Sequence, residues 1–286
     1  RSWNTPPAEP PDLTGCGLCE THWNGYWFSD MLDPSSVRIS AALSHRLIRK
    51  LAYGAVLSEE DRAGLMHMIR HTRAVEARHS LVREGESIPR VLVMLDGWAC
   101  RSKLLASGHR LITDLILPGD ISHVQSNLLG YADHSVTTLT AGVVAEINPA
   151  EIPGALERWP GLARAVRWST LQTDSLLRQA LINNNGRRLA APRIAHLICE
   201  VRARLQAVDE PVERGFDWPL TQDDLADVTG MTPVHANRSL RVLRDNGLIL
   251  LERRRMHVPD PDHLAAYCEF RPDYLHHAHA PSNPVR

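Results

Sequence analysis

The chain has 286 residues, which is enough for two modest domains, each with a core of its own. Its 43% apolar and 23% charged residues are ordinary for a soluble globular protein, and no run of about 20 apolar residues predicts a membrane span. The net charge of -1 excludes a uniformly basic protein, so any surface that binds nucleic acid must be local.

Cysteine usage and the first residues bear on the compartment. The five cysteines are odd in number and mostly far apart, which favours reduced thiols over a disulfide framework. Residues 1–12 are polar and rich in proline, without the apolar segment of a secretory signal. We therefore expect a cytoplasmic protein with no membrane partner.

The amino-terminal part predicts an extension followed by two helices. Residues 1–43 are rich in Pro, Gly, Trp and Asn without a sustained period, and predict an extension with one short helix. Helices are predicted over Ser44–Leu51 and Ser58–His71. Ser58 is followed by three acidic residues, which favour the positive end of a helix dipole.

From Thr72 the pattern changes to short β-like segments separated by glycine. The candidate strands are Arg90–Leu95, Gly97–Leu105, Arg110–Leu117 and Ser135–Ile147. Asp96-Gly97 and Ser107-Gly108 are hairpin signals, because glycine supplies the positive φ that tight turns need. Strands this short predict an antiparallel roll or barrel. Cys100 lies in a candidate strand beside Trp98; we interpret it as a core thiol, with a redox role as the alternative.

A long helix is predicted after the strands, over residues 161–186. Its apolar stripe consists of Leu162, Val166, Leu171, Leu177 and Leu181. The polar run Asn183-Asn184-Asn185-Gly186 ends it. A long amphipathic helix between two domains is a natural dimer interface, although it could instead pack on its own β-roll.

Thr221 to Ile249 predicts a helix-turn-helix. Thr221 is expected to cap a first helix with Leu225, Ala226 and Val228 on its buried face, and Gly230 lies at the turn. Thr232 is expected to cap the second helix, with Pro233 at its first position, where a missing N–H costs nothing.

The second helix has an outward set of polar side chains suited to DNA. Arginine can bind guanine with two hydrogen bonds and asparagine can bind adenine, while further Arg or His contact phosphates. Either Val234 or Ala236 is expected to face the core with Leu240 and Leu243. The candidate DNA-contacting residues of this motif are Thr221, Thr232, Pro233, Val234, His235, Asn237, Arg238 and Arg241.

A basic hairpin is predicted downstream. Leu248–Glu252 and Met256–Pro259 form its strands, and its tip carries Arg253, Arg254 and Arg255, which could clamp a phosphate backbone. The alternative interpretation is a three-helix module that binds protein through a solvated, charged face. Two-helix turns are common, but the capped helix, the polar outward set and the basic hairpin occur together in this chain.

Residues 44–262 resemble the Crp/Fnr family of bacterial transcription regulators. The motifs that carry the resemblance are LTQDDLADVTGMTPVHANRSLRVLRDNGLI and LVREGE…VLVMLDGWACRSK…GHRLITDLILPGD. It implies an α+β fold with an antiparallel β-roll (a double-stranded β-helix) as sensor domain, a long dimerisation helix and a carboxy-terminal winged helix-turn-helix. The expected divisions are 1–43 (extension), 44–160 (cyclic-nucleotide-binding-like β-roll), 161–186 (dimerisation helix), 187–262 (winged helix-turn-helix) and 263–286 (tail).

The resemblance also implies partners. Family members act as homodimers on a two-fold-related, palindromic operator in double-stranded DNA, with half-sites about one helical turn apart, and contact RNA polymerase. Arg238 keeps the guanine-binding position of the family. Val234 stands where the best-known members have glutamate, and Asn237 where they have Ser or Gly, so we expect an operator altered at one or two base pairs.

Departures from the family bear on the effector. Members that bind cyclic AMP keep a glutamate and an arginine-serine pair in the stretch that corresponds to Gly119–Val136, which here holds no Glu and no Arg. Without an arginine to pair with the cyclic phosphate, cyclic AMP is not the expected effector. The β-roll could also serve only as a dimer scaffold, with constitutive DNA binding.

Iron–sulfur members use four cysteines, three of them near the amino terminus. This chain has only Cys16 and Cys19 there, and Ala145 stands where the strand cysteine would be, so we expect no such cluster and no other bound cofactor. With His22, Cys16 and Cys19 offer three ligands where structural zinc normally has four; a metal or redox role is the alternative to an exposed loop.

An enzyme is the alternative from another class. A cupin-like enzyme or small-molecule-binding protein built on the β-roll would need a cluster of His and carboxylate ligands, and His109, His123 and His134 show no His-x-His spacing. Without a catalytic motif, we expect no enzymatic activity. The run His276-His277-Ala278-His279 predicts a disordered polar tail, with metal binding as the alternative.

Overall fold

The computed structural model describes residues 41–124 and 128–277, with only the backbone at 41, 42, 186 and 187. Nearly all of the predicted extension, including Cys16 and Cys19, and residues 278–286 lie outside the described residues. Within the described ranges, no helix is both long and apolar enough to cross a membrane.

Eight strands form a β-roll (residues 72–147) of two four-stranded antiparallel sheets, with orders β1-β8-β3-β6 and β2-β7-β4-β5. This confirms the predicted antiparallel roll. Apolar side chains such as Val82, Leu92 and Val136 fill the space between the sheets. The strands are β1 Thr72–Val75, β2 Ser80–Val82, β3 Val91–Asp96, β4 Ala99–Leu104, β5 Arg110–Ile116, β6 Ile121–Ser122, β7 Ser135–Thr138 and β8 Gly142–Ile147.

Two sequence predictions in the roll are wrong in detail. The single strand predicted over Ser135–Ile147 is two strands, β7 and β8, which belong to different sheets. The turn at Asp96-Gly97 likewise joins strands of different sheets, β3 and β4, rather than closing a hairpin. These two corners touch, because Gly142 lies against the Asp96 carbonyl with no room for a Cβ. Ser107-Gly108 does close a hairpin, between β4 and β5, with Gly108 at φ 84°.

Helices precede and follow the roll in the sequence. They are α1 Ala41–Leu51, α2 Glu59–Met68, α3 Ile152–Arg158, α4 Pro160–Ile182, α5 Ala190–Gln206, α6 Gln222–Thr229, α7 Pro233–Asp245 and α8 Pro261–Cys268. The long helix predicted over residues 161–186 is α4 with the π-helical turn Asn183–Arg187 that follows it. The Ser58 start signal is confirmed, since Ser58 and Asp61 form a reciprocal capping box on α2. Asp61 also accepts a hydrogen bond from the Leu162 N–H (3.1 Å), which joins α2 to the start of α4.

Close packing between α2 and the residue before α4 gives a stability prediction. A Cβ at Gly64 would lie 2.5 Å from ring atoms of Trp159. We expect Gly64→Ala to lower the free energy of unfolding by about 1–3 kcal/mol, because the indole must move. Gly154→Ala is the matched control: it is exposed in α3 with nothing near the new methyl, and should raise stability by about 0.5 kcal/mol. Urea unfolding measures both, and equal effects would contradict this packing.

The last part of the chain forms a C-terminal domain (residues 190–277), which contains α5 to α8 and a third sheet. That sheet has the order β10-β11-β9, with β9 Phe216–Asp217, β10 Leu250–Glu252 and β11 Arg255–His257. Its core is continuous with one face of the roll, since Trp98 and Leu115 of the roll belong to the same cluster as Ile198 and Leu243.

The prediction of a tail from residue 263 and a disordered His276-His277 is wrong for the described residues. Leu264 and Cys268 of α8 and Leu275 of the turn Pro272–Leu275 are fully buried. Gln172 of α4 donates to the Leu275 carbonyl (2.6 Å) and contacts the His277 ring. Apolar spacing in α8, rather than the polar histidines, determines the fold of this segment.

Candidate nucleic-acid interface

The helix-turn-helix forms from local signals. Thr221 caps α6 in a reciprocal capping box with Asp224. Gly230 ends α6 in the left-handed conformation (φ 65°), where a glycine carries no Cβ penalty. Thr232 accepts a hydrogen bond from the His235 N–H (3.3 Å), and Pro233 is the first residue of α7. The predicted caps and turn are therefore confirmed.

One face of α7 is buried and the other is open to solvent. Ala236, Ser239 and Leu243 are buried against the rest of the C-terminal domain. Val234 is 73% exposed, so that Ala236, and not Val234, is the inward residue. The predicted contact residues Thr232, Pro233, Val234, His235, Arg238 and Arg241 are exposed, and Asn237 is half-buried. At 100° per residue, Val234, Arg238 and Arg241 project from one side of the helix.

Thr221 has a different position from the α7 residues. It is exposed at the start of α6, but its hydroxyl bonds to Asp224 and accepts from the Asp224 N–H. Its primary role in this structure is the helix cap, and its predicted contact with DNA stays a prediction.

The hairpin tip has two free arginines rather than three. Arg253 and Arg254 form the turn between β10 and β11 and are exposed. Both have positive φ (47° and 63°), a conformation that favours glycine or asparagine. Arg255 lies on β11, and its guanidinium contacts the Gly215 carbonyl (2.5 Å) and Asp217 (3.4 Å). The Arg255 guanidinium is therefore already bonded to groups beside it in the same domain.

The apolar stripe of α4 that is predicted as the dimer interface is partly buried within this chain and partly exposed. Leu162 is buried within this chain, so the side chains that α4 offers to a second copy begin beyond it. Val166 and Leu177 are half-buried, and Leu171 and Leu181 are largely exposed. Sequence reasoning missed two further exposed apolar side chains at the end of the helix and after it, Ile182 and Leu189.

A cavity of about 350 Å³ lies between the roll and α4. The rings of His123 and His134 stack within it at 4.5 Å, and the buried Nε2 of each has no hydrogen-bond partner. Burial lowers the pKa of His123 to about 4, helped by His134 and Arg101, so His123 is neutral at pH 7. Arg101 also lines the cavity, but its guanidinium pairs with Asp114 and donates to the Ile121 carbonyl (2.9 Å).

Three cysteines lie in the described part of the chain, and all are buried. Burial raises the pKa of Cys100 to about 11, which agrees with its interpretation as a core thiol. Cys199 and Cys268 have sulfur atoms 3.9 Å apart between α5 and α8, a contact that their separation of 69 positions concealed. Within residues 41–124 and 128–277, no group of three or more His, Cys, Asp or Glu could hold a metal ion.

Comparison with known proteins places this architecture. A family profile described as a Crp-like helix-turn-helix domain matches residues 192–267. The chain is 25% identical over 212 residues to the transcriptional activator protein FnrL of Cereibacter sphaeroides, covering 73% of this chain and 84% of FnrL. It is 27% identical over 228 residues to the transcriptional activatory protein AadR of Rhodopseudomonas palustris, covering 78% and 92%.

Solved structures share the fold. FixK2 from Bradyrhizobium japonicum matches with a TM-score of 0.62 at 20% identity, over 68% of this chain and 96% of that one. TTHB099, a regulator of the CRP family from Thermus thermophilus, matches with a TM-score of 0.52 at 20% identity, over 69% and 96%.

A β-roll, a long helix and a winged helix-turn-helix with an exposed second helix define a DNA-binding transcription regulator. Its curated relatives are transcriptional regulators, so the alternative of a cupin-like enzyme is set aside. Residues 192–267 thus match the Crp-like helix-turn-helix domain, and the chain as a whole is similar to regulators of the Crp/Fnr type.

Proposed function

We propose that two copies of this chain bind a palindromic operator as a homodimer in the bacterial cytoplasm. The observation that carries the proposal is the capped, solvent-exposed face of α7 with Arg238 and Arg241 on it. In each half-site, α7 lies in the major groove and Arg238 binds guanine O6 and N7. Asn237 binds an adjacent base edge, while His235 and Arg241 contact phosphates.

The hairpin of β10 and β11, which we call the wing, supports the same orientation of α7 on the DNA. Arg253 and Arg254 occupy positive-φ positions at the tip, where glycine would cost less. Two arginines kept at strained, exposed positions fit a phosphate contact beside the major groove. Arg255 supports the wing from its strand and does not contact DNA in this proposal.

Val234 predicts one base pair at which the proposed operator differs from one bound through a glutamate at this position. A glutamate at this position could accept a hydrogen bond from cytosine N4, whereas an exposed valine can contact only an apolar group. Val234 is 73% exposed on the DNA-facing side of α7, so a thymine methyl is its proposed target. The half-site should therefore favour thymine at the base pair nearest Val234.

The dimer would form along α4. Leu171, Leu181 and Ile182 are each more than half exposed, and a second copy of the helix would remove them from water. Two relatives are named activators, which supports contact with RNA polymerase at the promoter.

Cyclic nucleotides are not the effector in this proposal. The Arg101 guanidinium in the cavity is already paired with Asp114, and His123 is neutral, so neither of these described residues offers a free cation to a cyclic phosphate. Isothermal titration with cyclic AMP should give no binding heat up to millimolar concentrations. Saturable binding in the micromolar range would contradict this part of the proposal.

Selection from random double-stranded DNA by the purified protein tests the proposed function. We expect enrichment of an inverted repeat with half-sites about one helical turn apart, and light scattering should give twice the 32.0 kDa mass of the chain. The selection is run with and without reductant, since thiol state could alter binding. Failure to enrich any sequence at low salt would overturn the proposal. If the protein binds the operator as tightly without any added small molecule as with one, the result would favour a constitutive regulator.

A further inference from the structure

Four charged side chains join the β-roll to the first helix of the helix-turn-helix; we call them the clamp. Arg78, between β1 and β2, donates to Asp224 of α6 (2.9 Å). Arg110, the first residue of β5, donates to Asp224 (2.8 Å) and to Asp227 (2.7 Å). Arg78 and Asp224 are 146 positions apart, so these bonds tie together two domains and not neighbouring turns.

Asp224 is central to the clamp. Its side chain is 1% exposed, and Arg78 contacts both of its oxygens. Oδ2 accepts from the Thr221 N–H and hydroxyl (2.9 and 2.8 Å), which caps α6, and also pairs with Arg78 Nη2 (2.7 Å). Oδ1 accepts from both arginines of the roll. Burial alone would raise the pKa of Asp224, but bonds from Arg78, Thr221 and Arg110 outweigh burial and lower the pKa to about 2. The carboxylate is therefore charged throughout the physiological range.

The other end of α6 is also held. Asn184 donates to the Val228 carbonyl (2.9 Å), and Arg193 donates to the Thr229 carbonyl (2.9 Å). The clamp fixes the amino end of α6 to the roll, and these bonds fix its carboxyl end near the junction of α4 and α5. With both ends fixed, α6 cannot rotate against the roll without breaking charged hydrogen bonds.

We propose that Arg78 and Arg110 are positioning residues for DNA recognition, which set the angle of α7 relative to the dimer helix α4. They act through Asp224 and Asp227, because α6 packs directly on α7 across the Gly230 turn. The recognition face of α7 stays exposed while the clamp is closed, so the clamped arrangement is compatible with DNA binding. The inference rests on the proposed dimeric function.

A fixed angle matters because a dimer binds two half-sites at once. When the first α7 is bound, the second has an effective concentration set by how narrowly its position is distributed. A rigid pair can gain on the order of 10²- to 10⁴-fold over a single half-site. Loss of the clamp widens the distribution of positions of the second α7 and therefore reduces the gain in affinity for the full operator. Every base-contacting side chain is still present.

The test compares full-length Arg78→Ala, Arg110→Ala and the double variant on three DNAs. These are the selected full operator, a single half-site, and operators whose spacer is lengthened or shortened by a few base pairs. We expect the double variant to lose about tenfold or more of the full-site advantage, with half-site affinity unchanged within about twofold. It should also discriminate less between spacer lengths. Arg110→Lys keeps the charge and should restore part of the advantage.

Arg73→Ala is the matched control. The Arg73 and Arg78 side chains are both 40% exposed, and each forms an ion pair, but the partner of Arg73 is Glu146 within the same roll (2.6 Å). The control should keep the full-site advantage and the spacer preference of the unmodified protein. Thermal unfolding of all variants shows whether the fold is retained.

Three results would overturn the inference. The double variant could keep its full-site advantage, the Arg73→Ala control could lose as much, or half-site and full-site affinity could fall together. The last result would mean that the clamp supports the fold of the C-terminal domain and not its orientation. Failure of the unmodified protein to bind any selected DNA is a separate result, which would overturn the proposed function itself.

Discussion

Arg238→Ala should greatly weaken sequence-specific DNA binding while leaving the protein folded. Arg238 is exposed on α7 and makes no contact that the fold needs, so its removal costs little stability. An arginine that binds guanine with two hydrogen bonds contributes about 1–3 kcal/mol of discrimination. A dimer places two such arginines on one operator, so the expected loss is about 2–6 kcal/mol, or roughly 30-fold to 10⁴-fold in affinity.

Gel-shift titration on the selected operator, and on an operator with the guanine replaced, measures this effect. Arg244→Ala is the control, because it removes the same charge from the same helix, six positions away and turned to another side. It should change affinity by less than about threefold. If Arg238→Ala lowers affinity for both operators equally, then Arg238 contacts the backbone and not a base.

Arg204→Met should destabilise the protein more than Gly64→Ala does. Arg204 of α5 is 5% exposed and pairs with Asp114 (3.3 Å), Asp120 (2.7 Å) and Glu200 (3.4 Å). Lys50 of α1 also pairs with Asp120, so the network joins three parts of the chain. Removing one partner of a buried ion pair leaves uncompensated charge and costs about 3–5 kcal/mol.

The pH dependence identifies the cause. Burial would raise the pKa of Asp120, but Lys50 and Arg204 outweigh burial and hold the pKa well below its ordinary 3.8. A group with a lowered folded pKa stabilises the protein above its unfolded pKa, and that stabilisation is lost as pH falls below about 4. In Arg204→Met the protonated carboxyl needs no partner, so the stability difference from the unmodified protein should be smaller at about pH 3 than at pH 7.

Urea unfolding at both pH values measures the difference. Arg202→Met is the control, since Arg202 lies on the same helix, half-buried, with a single 3.5 Å contact to Gln206. It should change stability by less than about 0.5 kcal/mol. A loss for Arg204→Met that is the same at pH 7 and at about pH 3 would point to lost packing instead of unpaired charge.

The sequence predicts best what depends on neighbouring residues. The capping of α6 and α7, the turn at Gly230 and the hairpin at Ser107-Gly108 each depend on residues a few positions apart, and all are confirmed. The outward face of α7 follows from helical periodicity once Pro233 fixes its start, except that the choice between Val234 and Ala236 needed the packing of the domain.

Features that depend on distant residues were not predictable. The corner that separates β7 from β8 depends on the approach of Gly142 to Asp96, and periodicity alone cannot show it. The clamp joins Asp224 to arginines more than 100 positions away, and Arg255 faces Asp217 only because β9 adds to the wing. The stacked His123 and His134 lie directly after β6 and directly before β7, and no sequence spacing marks them as a pair.

The buried position of Leu275 has a consequence for synthesis of the chain. Leu275 and His277 contact Gln172 of α4, and Tyr274 donates to Glu200 of α5 (2.9 Å), so both helices have partners that are synthesised about 70 or more positions later. Domains fold as units while the ribosome extends the chain, but these two helices cannot complete their contacts until residue 277 has left the exit tunnel. A nascent chain stalled before that point would present the uncovered sides of α4 and α5 to chaperones and proteases.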